Sequence, residues 1–171
     1  MGIDYTKRPS AAPPAAAAPA SISLTKSAPR VNLAKGSDGQ GPMRVNLNWT
    51  ARQPSRGLLA EVAAAASRID LDLGCLYELA DGTKGVIPAL GNGFGSLDRP
   101  PYILLEGDDR SGANLAGENM HVNLARPEQF RRVLMFAMIY RGAPNWAAVD
   151  AVVTLFPTAG PQVEVDRKSV V

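Results

Sequence analysis

From residue 21 onward the chain breaks into short runs, apolar or alternating, that are separated by Gly, Pro, Asn and Asp, and this punctuation is what most restricts its fold. Residues 43–49 alternate, with Met43, Val45, Leu47 and Trp49 on one face and Arg44, Asn46 and Asn48 on the other, as a half-buried strand requires. Residues 69–79 place Ile69, Leu71, Leu73, Cys75, Tyr77 and Leu79 on one face and then meet Asp81-Gly82, which predicts a type I′ hairpin turn into a strand over residues 83–87. Further strands are expected over residues 102–105, 120–124, 132–140 and 149–156, with another beginning at 163–165. The run 133–139 is apolar enough to lie between two layers. Residues 57–68, GLLAEVAAAASR, are the one helical segment expected. Antiparallel strands with a single short helix predict a mainly β, two-sheet sandwich.

A chain of 171 residues accommodates one such domain. The first 20 residues are rich in alanine, and Pro9, Pro13, Pro14 and Pro19 interrupt them. They therefore read as a disordered, dispensable tail rather than a secretory signal. Eighteen basic against sixteen acidic residues, a net charge of +2, make no footprint for nucleic acid. No apolar stretch is long enough for a membrane-spanning helix, which leaves peripheral attachment open. One cysteine, Cys75, cannot form an internal disulfide, and a reducing cytoplasm is the expected location.

Two features carry chemistry. Asp70 and Asp72 lie two apart on the strand face opposite the apolar residues, where carboxylates about 6–7 Å apart repel each other. A solvated polar face, or an arginine partner such as Arg44 or Arg68, is the plain explanation. The second feature is the segment 106–119, EGDDRSGANLAGEN, which crowds oxygen donors among three glycines in the way hard-cation loops do. It lacks EF-hand spacing, because Arg110 stands two after Asp108.

Several blocks then resemble a TerD-like tellurium-resistance and stress-response domain over residues 21–165. They are Ser23-Leu24-Thr25-Lys26, Val45-Asn46-Leu47-Asn48-Trp49 with Ala51-Arg52, Ile69-Asp70-Leu71-Asp72-Leu73, Gly107-Asp108-Asp109-Arg110-Ser111-Gly112 and Gly142-Ala143-Pro144-Asn145-Trp146. The resemblance implies a two-sheet sandwich that binds Ca²⁺ without enzymatic chemistry, acting as a scaffold among the protein partners of a stress-response complex. It implies Asp70, Asp72, Asp108 and Asp109 as ligands, with Ser111, Glu118 and Asn119 as further oxygen donors. Departures at residues 113–116 and at Arg141 argue against a second ion. Members of this family continue with further strands, so the last strands are expected to be missing. Residues 166–171, whose codons can be written as sequencing-adapter read-through, are expected to be a non-native tail.

Rival functions use the same residues. A metal-dependent hydrolase would employ the aspartate pair, but the single histidine, His121, supports no catalytic triad or His-rich metal set. A carbohydrate-binding module would need exposed tryptophans. Trp49 falls in phase with the core, which leaves Trp146. Cys75 reads as a small buried hydrophobe.

Overall fold

A computed structural model describes residues 21–31, 41–51, 69–88, 90–106 and 117–166. The expected N-terminal tail, the expected helix at 57–68 and the last five residues lie outside the described residues. Ten strands follow in chain order: β1 Ser21–Ser23, β2 Pro42–Ala51, β3 Asp70–Leu79, β4 Lys84–Ile87, β5 Gly95–Ser96, β6 Ile103–Leu105, β7 Glu118–Asn123, β8 Phe130–Arg141, β9 Val149–Phe156 and β10 Gln162–Asp166.

They form two sheets. One has the order β1-β10-β9-β2-β7-β6-β5, the other β4-β3-β8. All pairings are antiparallel except β1 with β10. β10 is flanked on both sides, by β9 and by β1.

The alternation read in the sequence decides what is buried. Val45 and Leu47 of β2 and Met120 and Val122 of β7 meet Leu71, Leu73 and Cys75 of β3 in one apolar cluster fed by both sheets. Each leucine sealed there contributes about 2 kcal/mol relative to exposure. Trp49 packs against this cluster, and its indole N–H donates to the Ile69 carbonyl at 3.0 Å, which ties β2 to the start of β3.

Two expectations change in detail. The β3–β4 hairpin does not use a two-residue turn. Gly82 N–H donates to the Leu79 carbonyl, Leu79 N–H donates to the Thr83 carbonyl, and Gly82 has φ +88°, so three residues connect the strands. The Asp81 side chain accepts from Thr83 N–H at 2.8 Å and holds this longer loop, with Gly82 at its left-handed position. The second change concerns β8, whose apolar run does not lie sealed between layers. None of its twelve residues is buried, because among the described residues it pairs only with β3 and forms an edge.

Candidate functional site

β3 builds the site because its period of two separates the two kinds of side chain. Leu71, Leu73 and Cys75 enter the core, so Asp70 and Asp72 must take the other face. That face is not solvated here: Asp70 is 5% exposed and Asp72 1%. Burying carboxylates is costly unless charge or hydrogen bonds compensate. For Asp70 part of the compensation is Arg141 at the far end of β8, whose Nε lies 3.3 Å from Oδ2. A register shift between Asp70 and Leu71 brings Arg141 opposite Asp70. Arg44, the partner anticipated from sequence, stands in the other sheet, with its guanidinium 3.8 Å from the Phe156 ring centre. Arg68 is outside the described residues.

Glu118 joins this region from the opposite sheet. β4 pairs with β3 only from Cys75 to Glu78, so the main chain of β3 extends past the end of β4. There Leu73 N–H donates to Glu118 Oε2 at 2.6 Å, and the carboxylate is buried. A short, charge-assisted bond of this kind stabilises by about 1.5–3 kcal/mol. Gly117 makes the approach feasible. Its φ is +72°, and a Cβ there would run into the Leu47 carbonyl, so only glycine lets the chain enter β7 while lying against β2.

The next residues of β7 face the other way. Asn119 Oδ1 accepts from Arg44 Nη1 and from Asn46 Nδ2, each at 3.0 Å, on the outer face of the seven-stranded sheet. His121, two residues on, lies 2.5 Å from Glu106 Oε1, and Glu106 N–H donates to the Asn119 carbonyl at 3.0 Å. Glu106 and Gly117 are the two stems of the acidic segment, and both are anchored to β2 or β7.

Of the residues singled out from sequence, Asp70 and Asp72 lie on the first half of β3, and Glu118 reaches the main chain of that strand at Leu73 from the other sheet. Asn119 does not: it lies on the opposite face of β7 from Glu118. Asp108, Asp109 and Ser111 lie outside the described residues. Among the described residues, no three His, Cys, Asp or Glu side chains form a group that could hold a metal ion. Carboxylates offer hard oxygens, the donor chemistry that suits calcium, while Cys75 offers nothing to it. Burial pushes the Cys75 thiol up to about 12, which keeps it protonated and inert. Trp49 is engaged in packing and Trp146 is 37% exposed. No helix among the described residues is long and apolar enough to cross a membrane.

Sequence reasoning missed three contacts: Arg141 with Asp70, Leu73 with Glu118, and His121 with Glu106. Arg141 closes an otherwise apolar run, and a charge at such a boundary was the available signal. The other two depend on which strands become neighbours, which periodicity does not encode.

No protein-family model matches the chain. Among characterised proteins it is similar to the tellurium resistance protein TerA of Alcaligenes sp, with 46% identity over 143 residues. The match covers 84% of this chain and 42% of that protein, so the chain spans less than half the length of its relative. An identity of 46% over most of the chain supports its membership of a tellurium-resistance family.

Proposed function

We propose that the chain is a TerD-like, calcium-binding module associated with tellurite resistance and stress response, working as a non-enzymatic scaffold in the cytoplasm. Asp70 and Asp72 of β3 would supply carboxylate ligands, with Asp108, Asp109 and Ser111 of the acidic segment completing the shell. Glu118 serves this arrangement by position, since its carboxylate is already committed on one oxygen to Leu73.

The observation that carries the reading is the hydrogen bond from Leu73 N–H to Glu118. The two acidic features stand 34 positions apart in the chain, from Asp72 to Glu106. That bond fastens the end of one feature directly beside Asp72 of the other. Calcium accepts six to eight oxygens in flexible geometry and so suits carboxylates contributed by a strand and a glycine-rich segment. Magnesium demands a tighter octahedron. A calcium titration of the wild type and of Asp70→Asn combined with Asp108→Asn tests the assignment: binding in the first and its loss in the second are expected.

A further inference from the structure

The connection from β4 to β5, residues 88–94, carries the chain from the three-stranded sheet to the seven-stranded one. It contains Gly91-Asn92-Gly93, and all three residues are exposed. Gly91 has φ +108°, and a Cβ at Gly93 would meet Pro88 at 3.6 Å, an ordinary contact. Among the described residues, neither the Asn92 side chain nor the Gly93 N–H has a hydrogen-bond partner.

An asparagine followed by glycine has an intramolecular reaction open to it. The main-chain nitrogen of the glycine can reach the side-chain Cγ of the asparagine, because the glycine carries no Cβ to obstruct the approach. A bond on the side-chain oxygen, or on the attacking N–H, holds such a pair apart. Asp81-Gly82, the corresponding acidic pair, has both: Asp81 Oδ1 accepts from Thr83 N–H at 2.8 Å, and Gly82 N–H donates to the Leu79 carbonyl at 3.0 Å. Asn123 and Asn145 are held too, each side-chain oxygen accepting from the N–H two residues on. Asn92-Gly93 has neither restraint.

We propose that Asn92 is a site of spontaneous covalent modification, closing on Gly93 to a succinimide that opens to aspartate and isoaspartate. The Gly93 amide nitrogen gives up its proton and bonds to Cγ of Asn92. The bond from Cγ to Nδ2 breaks, and Nδ2 leaves as ammonia with that proton. Water then adds to one of the two ring carbonyls, whose bond to the ring nitrogen breaks. Opening at Cγ leaves aspartate. Opening at the main-chain carbonyl leaves isoaspartate, in which the main chain runs through the former side chain and is one carbon longer. Either product sets a carboxylate in place of a neutral amide on the link between the two sheets.

Incubation of the full chain in warm, mildly alkaline buffer tests this, followed by digestion and mass spectrometry with fragmentation that separates the isomers. The peptide holding Asn92 should gain the mass difference between an amide and an acid and split into aspartyl and isoaspartyl forms. Conversion should quicken as pH rises, since the attacking nitrogen must lose its proton. Gly93→Ala should slow it about tenfold, because the added Cβ obstructs that nitrogen. Asp81→Asn places the same pair in the bonded turn, where it should convert about tenfold more slowly than Asn92, the effect of one hydrogen bond that must first break. If Asp81→Asn alters the circular dichroism spectrum, Gly93→Ala decides. An Asn92 that stays intact overturns the proposal, as does conversion to aspartate alone, the mark of direct hydrolysis. An unchanged rate in Gly93→Ala, or equal rates at the two sites of a folded Asp81→Asn chain, overturns it too.

Discussion

The main-chain N–H of Leu73 donates to Oε2 of Glu118 at 2.6 Å, linking strands that the hydrogen-bond ladders assign to different sheets. Glu118→Ala leaves a buried N–H without its acceptor, and about 1.5–3 kcal/mol of stability should be lost in urea unfolding. Glu118→Gln keeps an acceptor oxygen and should lose less than half of that. Equal losses in the two variants would mean that the side chain acts through packing alone.

Gly117 sets the direction of that carboxylate. Gly117→Ala asks for a left-handed residue at a position where a Cβ meets the Leu47 carbonyl, and it should cost about 1–3 kcal/mol by chemical denaturation. Gly93→Ala is the comparison: its nearest neighbour would be Pro88 at 3.6 Å, in ordinary contact, and a change within about 0.5 kcal/mol is expected. A tolerated Gly117→Ala would show that the chain can enter β7 by another path.

Glu78 makes part of the stability pH-dependent. The hydrogen bond from Arg132 holds its carboxyl below the usual range, with the charges of Arg132, Lys84 and Arg131 adding to it against partial desolvation. Its folded pKa therefore lies below the unfolded one. The associated stability is fully present above the unfolded value and is lost as the pH falls through the folded value. Wild type should thus exceed Glu78→Gln in stability at neutral pH, with the gap closing in acid. A gap that is constant with pH would contradict the link.

Much of this was legible in the sequence. The alternation over residues 43–49 became β2, and that over 69–79 became β3 with Leu71, Leu73 and Cys75 inside. Asp70 and Asp72 stood out because aspartate is unusual within a strand. Their burial was not legible: alternation assigns a residue to a face without saying whether that face is covered. β8 shows the same limit from the other side. Its apolar run, read as internal, is half-buried, because the ordering of strands within a sheet depends on contacts between residues remote in sequence. The hairpin turn differed because Ala80 joins Asp81 and Gly82 in the loop, which Leu79 and Thr83 close, with Gly82 at the left-handed position.

The central claim is that Asp70, Asp72 and the acidic segment bind calcium, and isothermal titration of calcium into the wild type and into Asp70→Asn with Asp108→Asn addresses it most directly. One ion per chain should bind the wild type in preference to magnesium. The double variant should show no binding, together with a melting temperature that calcium no longer raises and that lies below the wild-type value even in chelator, because Asp70 also pairs with Arg141. A wild type that takes up no calcium, or a double variant with unchanged affinity, would contradict the account.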